Sequence, residues 1–324
     1  MQFLNKIDRH LKPYLKRSIN RVPDVECLRK GVDYQIHTGG KRIRAALCAS
    51  ACEIFSGSYM RSLSFAAAIE HLQNFMLIHD DIADGDTMRR FDETVWKRYG
   101  IAHGINIGDV FISLSALAIL ESIYPPTMKI RLLQIFSEFS LETAEGQSLD
   151  IGLRMIDSVT PADYMKCTLK KTGSFLAMAT VGGAIIGGAN EEHIQTLKDF
   201  AFLAGVAFQI KDDLLDVFGT KGRSIGSDIL EGKRTLMVAH SSAHTSGVTR
   251  KRLFRILNKP RARNTTSEIN WVFELYRNTG AIEYAELIGQ RLVKQATEHL
   301  WKLPETEAKY RLIRISKYLG TRAS

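Results

Sequence analysis

The chain has 324 residues, a net charge of +9 and an ordinary apolar content of 45%. This length allows one large domain or two small ones, and the composition allows a sizeable buried core. The positive charge suits anionic substrates. Nucleic acid is disfavoured as a partner, because the sequence has no zinc finger, homeodomain or aromatic-basic platform.

Helical periodicity dominates the chain, and no alternating strand pattern persists beyond a few residues. No linker rich in Ser, Gly or Pro divides it. We therefore predict an all-α protein with a single domain over residues 1–324.

The four cysteines, Cys27, Cys48, Cys52 and Cys167, form no CxxC pair and no zinc set, which predicts reduced core residues in a cytoplasmic protein.

The first predicted element is an amphipathic helix over residues 3–19, which Pro13 would kink. This segment is charged from Lys6 onward and lacks the apolar core of a signal peptide. The chain is therefore expected to lack a secretory leader.

The segment HTGGKRIRAAL combines a tight turn with positive charge. Gly39 and Gly40 permit the turn, and Lys41, Arg42 and Arg44 follow at a predicted helix start. A helix N-terminus with cations nearby is a ready anion site, although a solvated basic turn fits this segment equally well. The pattern is not the GxxxxGK[ST] of a nucleotide P-loop.

The stretch EHLQNFMLIHDDIADGDTMRR runs from an apolar helical pattern into acidic and then basic residues. On a helix, Asp80 and Asp84 project from one face, and Asp81 lies about 100° round. Bare carboxylates this close repel by up to roughly 4 kcal/mol per pair near a surface, a cost that a divalent cation removes. Oxygen ligands favour Mg²⁺, and Arg89 and Arg90 suit phosphate oxygens. Taken alone, the stretch also fits a solvated helix end.

The pattern continues with more helices. Residues 101–123 contain the almost uncharged run FISLSALAIL, which predicts a core helix, and a further helix is predicted over residues 132–149. Thr160 and Pro161 fit the N-cap and first position of another. The uncharged run at residues 172–189 approaches the length of a membrane span, but its glycines favour a buried, closely packed helix. No transmembrane segment is predicted.

A second acidic cluster ends the apolar run LAGVAFQI. In KDDLLD, the residues Asp212, Asp213 and Asp216 repeat the spacing of the first cluster. The repeat of this spacing favours a shared function over chance. Two acidic clusters that face each other across a cavity would bind several Mg²⁺ ions, which would in turn bind one diphosphate. The following segment, residues 219–235, contains Lys233 and is predicted to be a polar flap.

Beyond residue 250 the chain becomes strongly basic. Residues 250–263, RKRLFRILNKPRAR, are rich in Lys and Arg and contain no acidic residue. Such a run is usually a solvated face, and an anionic membrane or partner is the functional alternative. The remainder predicts two or three amphipathic helices.

These motifs resemble those of the trans-isoprenyl diphosphate (polyprenyl) synthases. GGKRIR, DDIAD followed by MRR, KTGSF, and GVAFQIKDDLLD followed by GSDILEGKRT occur in the family's order and at similar spacing. The resemblance covers about residues 35–240, ahead of the C-terminal helices at about 250–320. It implies a single-domain, all-α isoprenoid-synthase helical bundle around a deep central cavity, usually as a homodimer.

The resemblance implies a Mg²⁺-dependent prenyltransferase that condenses isopentenyl diphosphate with an allylic diphosphate to a short-chain trans-prenyl diphosphate. It implies about three Mg²⁺ ions per active site, for which Mn²⁺ could substitute. The implied metal ligands are Asp80, Asp84 and Asp212, supported by Asp81, Asp213 and Asp216. The implied ligands of the allylic diphosphate are Arg89, Lys171, Thr172, Gln209 and Lys233. Those of isopentenyl diphosphate are Lys41, Arg44, Gln73 and Arg90, whereas Arg42 would be structural. Catalysis would rest on Asp80, Asp84, Asp212, Lys171 and Lys233.

Several positions depart from the family pattern. Many relatives have His at the position of Gln73, and the family's RRGxPTxH is RRFDETVW here, with Phe91, Glu93 and Trp96 in place of Gly, Pro and His. Ala45 replaces the Pro that usually ends GGKRxRP. The charged ligands are intact, so any effect falls on the loop over the site.

The resemblance also bears on product length. With the diphosphate held near Asp80, the growing tail runs back along the preceding helix, and each isoprene unit is about one helical turn, roughly 5 Å, long. Phe75, Met76 and Leu72 lie on or beside this face, with Phe75 as the bulkiest. This pattern resembles archaeal-type geranylgeranyl diphosphate synthases, which predicts a C20 product. The alternatives are a C15 farnesyl diphosphate synthase and a Phe75 that merely packs against a neighbouring helix.

Two other functions occur on the same fold. A non-catalytic regulatory subunit usually loses part of one acidic motif, whereas this chain has both. A terpene cyclase needs no isopentenyl site and normally carries a different second metal motif.

No side-chain base for the final proton loss is evident, and His79 is predicted to pack between helices rather than to act as a base.

Overall fold

The computed structural model describes residues 2–219 and 225–321. The helices are α1 (Gln2–Ile19), α2 (Glu26–His37), α3 (Ile43–Ser56), α4 (Leu63–Asp84), α5 (Val95–Tyr99), α6 (Ile101–Leu120), α7 (Pro126–Leu153), α8 (Pro161–Thr168), α9 (Ser174–Gly187), α10 (Glu191–Phe218), α11 (Ser227–Leu230), α12 (Leu236–Ala243), α13 (Gly247–Leu257), α14 (Thr266–Asn278), α15 (Ala281–Leu300) and α16 (Glu307–Thr321). A π-helical turn spans Leu169–Gly173, and 3₁₀ turns span Tyr59–Ser62 and Arg261–Arg263. The prediction of an all-α protein is confirmed.

A two-residue hairpin is the exception to the helical pattern. Strands β1 (Met88–Arg89) and β2 (Asp92–Glu93) pair antiparallel, with Met88 opposite Glu93. The sequence reading missed this hairpin because a strand of two residues is too short to show an alternating pattern.

Two compact units make up the chain. Unit 1 comprises Met1–Ser137, Met178–Lys198 and Lys302–Leu312, and unit 2 comprises Glu138–Ala177, Asp199–Trp301 and Ile313–Ser324. The first acidic cluster belongs to unit 1 and the second to unit 2. The single domain expected over residues 1–324 stays a prediction.

Helix ends and amphipathic faces follow the sequence closely. In α1 the residues Ile7, Leu11 and Leu15 are buried at a spacing of four, and Pro13 lies within the helix. Thr160 caps α8, because its hydroxyl oxygen accepts from the Asp163 amide and the Asp163 carboxylate accepts from the Thr160 amide. This reciprocal capping satisfies two amides that the first helical turn leaves unpaired.

Close contacts through glycine bury α9 in unit 1. A Cβ on Gly183 would lie 2.2 Å from the Cys48 carbonyl oxygen of α3, and one on Gly182 would lie 2.0 Å from the Phe65 ring of α4. The uncharged run is therefore a buried helix, as predicted.

Helix α6 was expected to be a core helix, and this expectation is only half right. Ile107 and Phe111 are fully buried, whereas Ile105 and Ile112 are 41% and 39% exposed. By length and composition α6 is able to cross a membrane, and 39% of its apolar window is buried. The prediction was only half right because a helix that is apolar on all sides has no polar face, so its sequence does not indicate which side packs against the rest of the protein.

Two further expectations need correction. Cys48, Cys52 and Cys167 are buried free thiols as predicted, but Cys27 is only half-buried, with its Sγ 3.3 Å from His103 Nδ1.

The segment expected to be a polar flap is largely packed into unit 2: residues 226–229 are buried, as is Arg234. Residues 220–224 of that segment lie outside the described residues.

The C-terminal part of unit 2 is helical, as predicted. α13 buries Leu253 and Phe254 while Lys251 and Arg255 are exposed, so the first part of the basic run is one face of an amphipathic helix. The rest of the run, residues 258–263, follows the end of α13. α14, α15 and α16 are the expected amphipathic helices.

The contact at Gly183 gives a stability prediction. Gly183→Ala should lower the free energy of unfolding by about 1–3 kcal/mol, because the methyl group would collide with the backbone of α3. Gly152→Ala is the matched control: Gly152 is helical with nothing within 4 Å of its added Cβ, so this change should be neutral or stabilise by up to ~1 kcal/mol. Denaturant unfolding of both variants measures the difference, and equal stabilities would contradict the packing described.

Candidate active site

The first acidic cluster forms the C-terminal end of α4. Asp80 and Asp84 are half-buried one turn apart, whereas Asp81 is only 3% exposed. Gly85 follows with φ of 69°, a left-handed conformation that ends the helix. The two half-buried carboxylates therefore share a face, as the spacing predicts.

An ion pair with Arg89 satisfies the buried member of this cluster. Arg89 Nε lies 2.7 Å and Nη2 lies 2.5 Å from Asp81 Oδ1. Burial raises the pKa of Asp81 to about 6, and the Arg89 guanidinium acts in the opposite direction. Arg89 is thus fixed beside the cluster, where a guanidinium is suited to phosphate oxygens.

The hairpin after α4 turns through two non-glycine residues in the left-handed region. Arg90 and Phe91 have φ of 56° and 73°, and Phe91 is 73% exposed. The Arg90 guanidinium donates to the carbonyl oxygen of Gly39, and the Tyr34 hydroxyl donates to the Glu93 carbonyl at 2.6 Å. The hairpin is therefore held against the GGKR turn, which brings Arg90 beside the predicted anion site.

Trp96, one of the residues that differ from the family pattern, supports this hairpin together with Thr94. Trp96 Nε1 and Thr94 Oγ1 both donate to the carbonyl oxygen of Asp86, at 2.7 and 2.8 Å. Trp96 thus supplies a ring N–H donor at a position where relatives have His, so the departure leaves a hydrogen bond in place.

The GGKR turn contains one buried arginine and one exposed lysine. Arg42, with φ of 53°, donates to Asp8 Oδ1 at 3.0 Å and to Glu70 Oε2 at 2.9 Å. These two pairs fit the structural role expected for Arg42. Lys41 is exposed and Arg44 is half-buried at the start of α3.

Gln73 contributes a buried polar atom to unit 1. Its Oε1 has no hydrogen-bond partner in the structure. A buried carbonyl oxygen without a hydrogen-bond donor is costly. The neighbouring Nε2 is the donor suited to phosphate oxygens, the role that the sequence predicts for Gln73.

In unit 2 the second cluster is more deeply buried than the first, with only one of its three carboxylates half-buried. Asp212 is half-buried, whereas the buried Asp213 accepts from the Tyr164 hydroxyl at 2.7 Å and from Gln209 Nε2 at 2.9 Å. Burial raises the pKa of Asp213 well above its ordinary value, and the Asp228 charge adds to this effect. Thr172 Oγ1 donates to Gln209 Oε1 at 3.0 Å, which links the KTG motif to this carboxylate.

Asp216 caps the short helix α11. Its Oδ1 accepts from the Ser227 amide at 3.0 Å and the Ser227 hydroxyl at 2.5 Å, and its Oδ2 accepts from the Asp228 amide at 3.1 Å. Burial and the Asp228 charge raise its pKa to about 6. The last member of the cluster thus fixes the segment that leads to Lys233.

The π-helical turn presents Lys171 and Thr172 between two close backbone contacts. A Cβ on Gly146 of α7 would lie 2.1 Å from the Lys171 nitrogen, and one on Gly205 of α10 would lie 2.6 Å from Gly173 Cα. Wide turns of this kind are frequent at functional sites.

Buried or partly buried acids pair with both predicted phosphate-binding lysines. Lys171 Nζ lies 2.8 Å from Asp150 Oδ2, and Lys233 Nζ lies 3.1 Å from Asp228 Oδ1 and 2.7 Å from Glu231 Oε2. Although burial acts to raise the pKa of Asp150, the charges of Lys171 and Lys233 hold it below its ordinary value. Both lysines therefore act on one carboxylate.

The sequence reading assigned no role to Asp150, Tyr164 or Asp228. Their partners are distant in the chain: Tyr164 and Asp213 are 49 residues apart, and Lys171 and Asp150 are 21 apart. Lone acids and tyrosines carry no spacing signal, so only the fold reveals these contacts.

The donor chemistry of both clusters fits Mg²⁺. Every candidate ligand is a carboxylate oxygen, and Asp80, Asp84 and Asp212 are partly accessible. Among the residues that the structure describes, no group of three or more His, Cys, Asp or Glu side chains forms a ready-made metal cage. This arrangement suits an ion that keeps several waters and completes its shell with substrate phosphates.

The residues proposed to limit product length lie in the turns before Asp80. Phe75 and Met76 are half-buried, whereas Leu72 is 2% exposed and Ala66 is fully buried. The aromatic ring is thus the bulkiest partly accessible group among them.

Comparison with known proteins places the chain in a family. The model of the polyprenyl synthetase family matches residues 25–276. The chain belongs to this family. It is 35% identical over 322 residues to the short chain isoprenyl diphosphate synthase of Methanothermobacter thermautotrophicus, covering 98% of this chain and 97% of that protein. It is 31% identical over 296 residues to the geranylgeranyl pyrophosphate synthase of Geoglobus acetivorans, covering 91% and 90%.

A solved structure agrees with this assignment. The crystal structure of geranylgeranyl pyrophosphate synthetase from Pyrococcus horikoshii matches with a TM-score of 0.90 and 31% identity over 99% of both chains. The protein is therefore a short-chain trans-prenyltransferase with the isoprenoid-synthase fold.

The hairpin turn gives a prediction specific to this member of the family. Phe91→Gly should raise the free energy of unfolding by up to about 1 kcal/mol, because glycine adopts the left-handed conformation without the Cβ penalty. Phe91→Ala should give no such gain, since it removes the ring but keeps the Cβ at the same φ. Thermal unfolding of both variants is the measurement, and a gain with alanine as large as that with glycine would contradict the interpretation.

Proposed function

We propose that the enzyme condenses isopentenyl diphosphate with an allylic diphosphate in a Mg²⁺-dependent reaction, with geranylgeranyl diphosphate as the main product. The observation that carries this proposal is the pair of DDxxD clusters, each with at least one partly accessible carboxylate and with cations held nearby. A regulatory subunit would not need two intact clusters, and a cyclase would not need the Lys41, Arg44 and Arg90 set.

The allylic diphosphate is assigned to Arg89, Lys171, Thr172, Gln209 and Lys233. Mg²⁺, when bound to the clusters, would offset the negative charge that grows on the departing diphosphate. The lysines contribute to the same end, since their acidic partners already hold them in place. Arg89, paired with Asp81, adds a guanidinium for the phosphate oxygens.

Isopentenyl diphosphate is assigned to Lys41, Arg44, Gln73 and Arg90. The exposed Lys41 and the neighbouring Arg90 offer positive charge beside the Gly39–Gly40 turn. An added Cβ on Gly40 would lie 3.2 Å from Arg90 Nη1, so glycine leaves space for the guanidinium. The side-chain Nε2 of Gln73 is the atom that would donate to a phosphate oxygen of this substrate.

The reaction then requires an apolar, water-free surrounding. Loss of diphosphate leaves an allylic cation, which water would quench. The double bond of isopentenyl diphosphate attacks this cation, and a proton is then lost. We assign that proton to the released diphosphate, because the His79 ring is directed to α6 and the part of the chain that the structure describes offers no other evident side-chain base.

Phe75 is proposed as the wall that limits the product to C20. The ring lies five residues before Asp80, and the small residues Ala66, Ala67 and Ala68 lie farther along the same helix. With about one helical turn per isoprene unit, a bulky ring at this depth favours a short product. A C15 product is the runner-up.

We further propose a cytoplasmic homodimer. The exposed isoleucines of α6, Ile101, Ile105 and Ile112, lie four and seven residues apart on one side of the helix. An apolar stripe of this kind is stabilised when a second copy covers it. Sedimentation of the wild type against Ile105→Glu tests this part.

One incubation distinguishes the candidate functions. Purified enzyme is mixed with Mg²⁺ and farnesyl diphosphate, with and without isopentenyl diphosphate. Elongation only in the presence of isopentenyl diphosphate supports the synthase, cyclisation without it supports a terpene cyclase, and inertness in both supports a regulatory subunit.

Both acidic clusters are expected to be essential. Asp80→Ala and Asp212→Ala should each reduce turnover by ~100-fold or more, because each removes charge that stabilises the departing diphosphate. Asp24→Ala, which removes an exposed carboxylate paired with Arg29, is the control and should retain activity. Steady-state assays at saturating Mg²⁺ or Mn²⁺ give the values, and near-normal turnover in either cluster variant would refute the two-cluster proposal.

Separate sites for the two substrates give a second prediction. Lys41→Ala or Arg44→Ala should raise the KM for isopentenyl diphosphate far more than that for the allylic substrate, and Lys233→Ala should do the reverse. Lys251→Ala removes an exposed cation from α13 and controls for net charge. Initial rates with each substrate varied in turn provide the KM values. Equal effects on both substrates would indicate one shared anion site instead.

The wall proposal predicts longer products from Phe75→Ala, because loss of the ring opens the space toward the alanines. Chromatography of the dephosphorylated products measures the length distribution. An unchanged distribution would exclude Phe75 as the limiting group, and a wild-type product of C30 or longer would exclude the short-chain assignment.

A further inference from the structure

His79 is the residue directly before the first acidic cluster, and no step of the proposed reaction uses it. Its imidazole packs on the ring of Phe75, one helical turn earlier on α4. The ring centroids are 4.3 Å apart, with an angle of 46° between the planes. The imidazole is therefore in contact with the group proposed to limit product length.

Contacts with α6 fix the other side of this imidazole. His79 Nε2 lies 3.4 Å from the Ile105 carbonyl oxygen and 3.4 Å from Asp109 Oδ1. The backbone of Gly108 is close as well, since an added Cβ would lie 2.4 Å from both Cδ2 and Nε2 of the ring. The imidazole thus has little freedom to move toward α6.

We propose that His79 and Gly108 position the Phe75 ring and thereby help to set product length. The proposal rests on the proposed function, in which Phe75 is the wall. A half-buried Phe side chain has several rotamers, and a wall is useful only if one of them persists under contact with the growing chain. His79 restricts the ring through the aromatic contact, and Gly108 allows α6 to approach closely enough to hold His79.

A purely structural role for His79 makes a different prediction. If the imidazole only joined α4 to α6, its loss would lower stability and turnover but leave the product ratio unchanged. The ratio of products longer than C20 to C20 itself is therefore the informative readout, because it does not depend on the amount of folded enzyme.

The first test compares two substitutions at His79. His79→Ala removes the ring support and should raise the ratio of longer products to C20 on the order of fivefold, the factor expected for loss of one aromatic pair. His79→Phe retains a ring against Phe75 and should remain near the wild-type ratio. Equal ratios in wild type and His79→Ala would overturn the proposal.

The second test uses two glycines of α6. Gly108→Ala places a methyl group against the imidazole, so it should displace the His79 ring and alter the product ratio. Gly104→Ala is the matched control: its methyl would meet Trp96 Cβ at 3.0 Å and Ile82 Cδ1 at 3.3 Å, so it crowds α6 against α4 and α5 with His79 not among its three nearest neighbours. The same shift in both variants would overturn the role of Gly108.

These outcomes separate this proposal from the function on which it rests. If the wild type does not elongate allylic diphosphates, the proposed function fails. If Phe75→Ala leaves product length unchanged, the wall assignment fails. If Phe75→Ala lengthens the product and His79→Ala does not, only the positioning role of His79 is refuted.

Discussion

Within each of two short helical segments, three carboxylates repel one another, and the candidate site depends on how the protein offsets this repulsion. In each cluster, protein groups satisfy the most buried acids. Arg89 pairs with Asp81 in unit 1, and Tyr164 and Gln209 donate to Asp213 in unit 2. The half-buried acids Asp80, Asp84 and Asp212 remain partly accessible, as the proposed binding of a divalent ion and a diphosphate requires.

The same logic applies to the cations. Lys171 and Lys233 already have acidic partners, and their charges keep Asp150 ionised. In the proposed site, a diphosphate would exchange one anionic partner of these lysines for another instead of ordering a free lysine side chain. Preorganisation of this kind lowers the entropic cost of binding, although the incoming anion must compete with the resident carboxylates.

Local signals explain how much of this structure the sequence could predict. Two features depend on residues within one or two helical turns, and the sequence predicts both correctly: the shared helix face of Asp80 and Asp84, and the N-cap at Thr160. The left-handed turn at Phe91 had no glycine to reveal it, and the partner of Asp150 is 21 residues away. Such features depend on packing between segments distant in the chain, for which a single sequence has no periodic signature.

Because Asp216 caps α11, the second acidic motif depends on the segment that follows it and cannot be transferred to another protein by itself. Both oxygens of this carboxylate accept from the backbone or hydroxyl of the segment that follows α10. If KDDLLD were transplanted to another helix without residues 225–233, its last aspartate would become a buried carboxylate without donors. A designer who wishes to graft this motif would have to move the helix end and the following segment together.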